Sequence, residues 1–386
     1  MRPPKGLKVE EDLAKVKKIL VTIFKYHGDV LLTSPVYTTL RSHFPNALID
    51  VMLFKDTAPM LEGHPAITNL IYFDQKTRKA SFIKRIWYEL SLWRKIRKAK
   101  YDIAINMTSG DRGALIAKIS KAKIRIGFES FGGMKQKDSF FSTILRITKT
   151  PRHIVERNLD VVRALKIHPR QEEKRLTFFI PQASQERVAS LLPFSSYILI
   201  HPSSRTSFKN WPASHFTDLI RRLREKGYNI VISGGPSQEE AFIITEILAP
   251  LQDPTIVNLQ GKLSLKELGA IIEKALLLIS VDSVPPHIAS ALQKPVLVLF
   301  GPSDDLKWGP WMNPLAETLR FETPCKRCDD EGCGGSWLSD CLQKLTPAMA
   351  LDKIETMLLK EPLFHQSKLF FELPRKALPK DSEVLS

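Results

Sequence analysis

Short apolar runs alternate with amphipathic stretches along the whole chain. In the first half, residues 17–24 (KKILVTIF) and 47–54 (ALIDVMLF) are apolar runs of strand length. The segment between them, residues 28–45, opens at a glycine turn and has helical spacing, so the order is strand, helix, strand. Residues 101–107 (YDIAINM) repeat the strand pattern before SGDRGALIAKISKA. The second half restarts with SYILIHPSS, an amphipathic helix over residues 212–227 stopped by Gly227, then YNIVISGG, EEAFIITEIL, LSLKELGAIIEKA, LLLISVD, PPHIASALQK and PVLVLFGPS. Continuous apolar runs joined by helices mark parallel strands buried on both faces. Two such series predict two Rossmann-like parallel-sheet domains facing a cleft. The expected boundaries are residues 1–180 and 181–361, with a linker near 178–196. A terminal helix follows over TPAMALDKIETMLLKE, and the polar tail, residues 362–386, is expected to be loosely ordered.

Charge sharpens this division. The net charge is +16. Residues 1–180 hold 35 Lys+Arg against 17 Asp+Glu, while residues 181–386 hold 22 against 24. The entire excess lies in the first domain, which suits a polyanionic partner: nucleic acid, an acidic membrane surface or a phosphorylated substrate. A merely solvated basic face is the plainer alternative. Residues 76–100 carry ten Lys or Arg and one Glu, with Phe82, Ile86, Leu90 and Trp93 at helical spacing. This basic amphipathic helix, with Trp87 and Trp93, suits either an anionic membrane surface or packing on the sheet. The first apolar run is too short for a signal peptide core or a membrane span, and a cytoplasmic location is expected.

Neither a G-x-G-x-x-G fingerprint nor a G-x-x-x-x-G-K-[ST] loop is present, which disfavours a dinucleotide dehydrogenase or a P-loop NTPase. Anion binding must come from other strand-to-helix junctions, where amide groups and the helix dipole favour negative charge. Three stand out: YHGDV, HPSSRTSFKNWP and VDSVPPH. In the first, Asp29 is either a helix cap or a general base for an attacking hydroxyl. In the second, Ser203 and Ser204 could hold phosphate oxygens and Lys209 could neutralise a leaving phosphate. In the third, Asp282 and Ser283 precede His287, which is either a site residue or a structural histidine on an apolar helix.

Together, KYHGDVLLTSPVYTTLRSHFPNALIDVML, ILIHPSSRTSFKNWPASHFTDLI, ISGGPSQEE and ISVDSVPPHIASALQKPVLVLFGPSD resemble the ADP-heptose:lipopolysaccharide heptosyltransferases, glycosyltransferase family nine. The resemblance runs in matching order over roughly residues 18–350. KYHGDVLL, INMTSGDRG and the late cysteine loop look most like members that add the third core heptose, a branch on the second. The resemblance implies a GT-B fold, with acceptor bound mainly by the first domain and nucleotide sugar by the second, and an inverting, metal-independent transfer. By the same resemblance Asp29 is the catalytic base, and Ser203, Ser204 and Lys209 form the donor phosphate stretch. Gln238 or Glu239 stands where the family has a carboxylate near the adenosine ribose. Asp282 lies near the donor sugar, with Ser283, Val284 and His287 in the same helix start. Pro285 and Pro286 replace a more open turn and have no N–H, which shifts diphosphate contact to Ser283 and Val284. The implied partners are ADP-heptose, an inner-core lipopolysaccharide acceptor whose carboxylates and phosphates match the basic domain, and the cytoplasmic face of the inner membrane. Arg112 in SGDRG is the candidate for an acceptor anion.

No Asp-x-Asp triple of the kind that metal-dependent sugar transferases use is present, and no cofactor is required for this chemistry. Cys325, Cys328, Cys333 and Cys341 are the only cysteines. Their C-x2-C-x4-C-x7-C spacing admits a structural zinc, with reduced loop thiols as the alternative favoured here. Rival readings are transfer of another sugar to the same core, a GT-B epimerase, or a noncatalytic polyanion binder. No nucleic-acid module is recognisable, and no nucleic-acid partner is expected.

Overall fold

The computed structural model describes residues 13, 15–75, 81–129, 132–134, 136–147, 150–325 and 327–359. The tail from residue 362 therefore lies outside the described residues. Two six-stranded sheets, parallel throughout, account for the two series of apolar runs.

The first sheet contains β1 (Lys18–Ile23), β2 (Leu48–Phe54), β3 (Asn69–Phe73), β4 (Ile103–Asn106), β5 (Ile124–Phe128) and β6 (Thr143–Leu145), in the order β3-β2-β1-β4-β5-β6. The single helix expected after β1 is two, α1 (His27–Leu31) and α2 (Ser34–His43). Pro35 stands in the first turn of α2 and has no amide to continue α1, and the Thr33 hydroxyl turns back to Val30 O (2.7 Å). After β3 runs α3 (Phe82–Ala99), and after β4 runs α4 (Asp111–Ser120). Only Leu92 and Ile96 of α3 are buried. Of the anticipated stripe Phe82, Ile86, Leu90 and Trp93, the first three face outward, while Trp93 is part-buried against the core. A short helix, α5 (Ile154–Asn158), closes this half, with Asn158 Nδ2 donating to Leu32 O (3.0 Å).

The expected linker contains α6 (Gln182–Leu191), which packs on the second domain through Gln185 to Glu273 (2.9 Å) and Arg187 to Glu267 (2.7 Å). The second sheet contains β7 (Ile198–His201), β8 (Ile230–Ile232), β9 (Val257–Asn258), β10 (Leu277–Val281), β11 (Val296–Leu299) and β12 (Ala316–Leu319), in the order β12-β11-β10-β7-β8-β9. Its helices are α7 (Ala213–Glu225), α8 (Gln238–Leu248), α9 (Leu265–Lys274), α10 (Val284–Ala291) and the terminal α11 (Pro347–Leu359). Gly227, at φ 87°, ends the run after α7 in the left-handed region that glycine adopts without strain. The two sheets share one topology. In each, the order reverses between the first and fourth strands, between β1 and β4 and between β7 and β10, and ligands of open α/β sheets bind outside the carboxyl ends of the strands at that reversal.

The two halves meet over an apolar layer in which Val155, Leu165 and Ile167 belong to the same buried cluster as Ile271, Ile288 and Phe300. Polar ties frame it. Lys266 Nζ donates to Glu62 O (2.9 Å) and Phe179 O (2.7 Å), and Trp311 Nε1 donates to Lys174 O (2.7 Å). His153 stacks on Trp311 and bonds through Nε2 to Gly309 O (2.9 Å).

Candidate active site

All three junctions picked out in the sequence stand at these reversals. β1 ends into α1, where the cap position is Tyr26 and no side chain caps the helix. Asp29 is thus not the cap; it sits in the first turn, part-buried, with Lys25 Nζ at 3.6 Å. Behind it Arg157 stacks over Phe128 (5.1 Å). Burial and Arg152 push this guanidinium below its ordinary value, while Asp160 and Asp29 oppose the shift, which places Arg157 in the field of Asp29. Beside this turn, at the end of β4, Asn106 forms a buried knot. Its Oδ1 accepts from Thr22 Oγ1 (3.0 Å) and Thr108 Oγ1 (3.0 Å), and its Nδ2 donates to Thr108 O (2.7 Å).

Across the cleft, the loop after β7 folds back because the Ser204 amide donates to Asn210 Oδ1 (2.7 Å). The turn Ser207–Lys209 then carries Lys209 over the end of β10, where its Nζ lies 2.7 Å from Asp282 Oδ2. Asp282 is buried and Lys209 part-exposed, so the lysine is the side of this pair that a ligand can reach. The cap of α10 is Ser283, not Asp282; its hydroxyl bonds back to Val281 O (3.2 Å). His287 is buried one turn on. Burial holds its imidazole at about 4 despite the nearby Asp282, and its Nδ1 has no partner.

Gln238 and Glu239 are exposed at the start of α8, where Ser237 caps the helix. The carboxylate of this helix start that turns inward is the neighbouring Glu240. Glu240 Oε2 accepts from Ser203 Oγ (2.6 Å) and from the Gly235 amide (2.8 Å). The Ser203 hydroxyl thus donates to Glu240 in this structure. His201, at the end of β7, bonds Ser233 Oγ (3.0 Å), and burial pushes it down to about 4 against the opposing field of Glu240. Sequence reasoning missed Glu240, His201, Asn210, Asn106, Thr108 and Arg157. A polar residue directly after an apolar run was the available signal for His201, Asn106 and Thr108.

The two walls come together closely. A Cβ added at Gly28 would lie 3.2 Å from His287 Cδ2, and Arg205 of the β7 loop stacks 3.6 Å above the Tyr26 ring. The turn that bears Asp29 thus packs against the helix of His287, which starts just after Asp282 in the opposite domain. Arg112 is not a free cation here: it pairs with Glu89 (2.8 Å) and stacks over Phe73 (3.9 Å).

The four cysteines line one cavity of about 310 Å³ beside Gly301 and Arg320. Cys341 is buried and the other three are exposed. Burial raises the Cys341 thiol, with Cys333 and Cys328 adding to the shift. Among the described residues no group of three or more His, Cys, Asp or Glu side chains is placed to hold a metal ion.

The sequence profile of glycosyltransferase family 9 (heptosyltransferase) matches residues 89–335. The chain is 35% identical over 299 residues to lipopolysaccharide heptosyltransferase 3 of Escherichia coli K12, covering 76% of this chain and 85% of that protein. It is 26% identical to lipopolysaccharide heptosyltransferase 2 of Salmonella typhimurium, over 89% and 99% of the two chains. Among solved structures, ADP-heptose lps heptosyltransferase II of E. coli superposes with a TM-score of 0.73 at 23% identity, over 89% of this chain and 99% of that one. The glycosyl transferase family 9 structure from Veillonella parvula gives 0.77 at 24% identity, over 89% and 98%. With its paired parallel sheets and its cleft between them, the chain has the GT-B fold and belongs to glycosyltransferase family 9: it is a heptosyltransferase.

Proposed function

We propose that this enzyme transfers L-glycero-D-manno-heptose from ADP-heptose to the heptose region of the lipopolysaccharide inner core, with inversion, adding a third, branch heptose to the second. The observation that carries this reading is that the α1 turn bearing Asp29 packs against α10, whose start directly follows the Lys209–Asp282 pair. Asp29 is a carboxylate on the acceptor side with no capping duty, free to take the proton of an attacking hydroxyl. Lys209, on the donor side, neutralises the charge that grows on the departing diphosphate, assisted by the start of α10. With Pro285 and Pro286 in that first turn, the amides available there are those of Ser283 and Val284. Asp282 holds Lys209 before donor binding and lies where the sugar hydroxyls would meet it. Glu240, fixed by Ser203 and Gly235, takes the ribose-binding role expected of Gln238 or Glu239. A β-linked donor attacked from the face opposite ADP yields an α-linked product. Since Lys209 and the helix start supply the positive charge, the transfer step requires no divalent metal.

The acceptor would be a phosphorylated, Kdo-bearing inner core at the cytoplasmic face of the inner membrane, matched to the positive first domain. The relatives named lipopolysaccharide heptosyltransferase 3 support the third heptose as the sugar added. The test is a mass-spectrometric transfer assay with ADP-heptose, lipopolysaccharide carrying two core heptoses, and EDTA. One added heptose with ADP release is expected, and proton NMR of the product should show an α linkage. Transfer only from a different sugar nucleotide would replace the donor in this reading. Retention of the β configuration would remove Asp29 from the role of base in a single displacement.

A further inference from the structure

We propose that the outward face of α3 is a bilayer-docking surface that seats the first domain on anionic phospholipid. Phe82, Ile83, Ile86, Trp87 and Leu90 share one arc of the helix, because positions three and four apart stack on one side. They are open to solvent: Phe82 is 72%, Ile83 68% and Trp87 70% exposed. Large aromatic and aliphatic side chains crowded on one exposed arc mark a surface made to be covered. The buried residues Leu92 and Ile96 hold the opposite side of the helix to the domain, so this arc is not needed for folding.

Charge identifies what covers it. Lys84 and Arg85 lie within the apolar half, Arg94, Lys95, Arg97 and Lys98 follow it, and Lys76, Arg78 and Lys79 precede it in sequence. The single acid of the helix, Glu89, is neutralised by Arg112 from within the domain. An apolar arc set among cations, with its one carboxylate compensated inward, complements acyl chains beneath negative headgroups, not the apolar face of a second protein. No helix among the described residues is long and apolar enough to cross a membrane, so attachment here is interfacial. The position suits the chemistry. α3 leaves the carboxyl end of β3, the same edge of the first sheet from which Asp29 projects, so a docked arc brings the acceptor side of the cleft toward the lipid surface. This inference rests on the proposal of a membrane-anchored acceptor.

The test uses the full chain with two sets of vesicles, phosphatidylcholine alone and phosphatidylcholine with 30 mole per cent phosphatidylglycerol, read by flotation. The variants are Phe82→Ser/Trp87→Ser/Leu90→Ser and Lys84→Glu/Arg85→Glu, none of which touches the cleft. The native chain should float with the anionic vesicles only. Each variant should bind at least tenfold more weakly with an unchanged melting temperature, and the native chain alone should show a blue shift in tryptophan emission on the anionic vesicles. Binding that the serine variant leaves intact would overturn the proposal. So would a vesicle-free dimer that the serine variant dissociates, which would assign the arc to a second copy of the chain. Transfer to a water-soluble, fully deacylated acceptor separates the two readings. If native protein ignores vesicles yet glycosylates that acceptor, docking falls and the function stands; if it binds vesicles as described but transfers nothing, the function falls and docking stands.

Discussion

In the proposed reaction, Asp29 and Lys209 divide the work at the level of single side chains. Asp29→Asn keeps the size and loses the basicity, so kcat should fall by roughly 10²–10⁴-fold while ADP binding, measured by calorimetry, stays near native. Equal loss of ADP binding would mean that Asp29 organises the donor site instead. Lys209→Ala should cost about 10²-fold or more in kcat and also lower the melting temperature, because buried Asp282 would lose its cation. The candidate residues were recognisable from residue type and place, since an acid, a lysine or a serine just past an apolar run falls at a strand's carboxyl end. Their partners were not. Nothing local distinguishes Glu239 from Glu240, which are neighbours at one helix start; only the path of the chain past Gly235 and Ser203 selects the second.

At the scale of elements, close approach decides what a sequence pattern leaves open. α4 crosses β4 so tightly at Gly113 that a Cβ there would lie 2.0 Å from Asn106 Oδ1. Asn106 cannot swing aside cheaply, since its amide holds Thr22 and Thr108 together at the reversal of the first sheet. Gly113→Ala should therefore destabilise the chain by about 1–3 kcal/mol, read from urea unfolding. A stability equal to native would mean that α4 shifts without loss. The strands β3, β6, β9 and β12 escape a pattern reading for a related reason. They lie at the outer parts of the sheets, are short or only partly buried, and so carry weaker apolar runs than the central strands.

Over the whole molecule, burial acts on three histidines in the same way, and two of them, His153 and His287, border the contact between the domains. Burial holds His153, His201 and His287 at about 4, against an ordinary value near 6.5. In the unfolded chain each takes up a proton near 6.5, whereas in the folded chain none does until about 4. The unfolded state binds more protons across that window, so stability is complete above pH 6.5 and is lost as the pH falls toward 4. The melting temperature should drop by roughly 5 °C or more between pH 7 and pH 5. His153→Gln should flatten part of that fall; a native profile flat across the window would contradict the assignment of these three groups as neutral in the folded protein.

The order of apolar runs and helical stretches was enough to specify two parallel α/β domains, because buried parallel strands must read as continuous apolar segments and their crossovers as amphipathic helices. The concentration of positive charge in the first half was equally plain from composition. Which residues meet across the cleft was a tertiary matter. Asp29 and Asp282 are separated by most of the chain, and the packing of α1 on α10 that brings their two turns near each other depends on how two sheets of the same topology are set edge to edge. Whether an apolar stripe turns inward is decided in the same way. The spacing of Phe82, Ile86 and Leu90 describes a helix with one apolar side, but the domain takes up the opposite side, through Leu92 and Ile96, and leaves those three residues facing out.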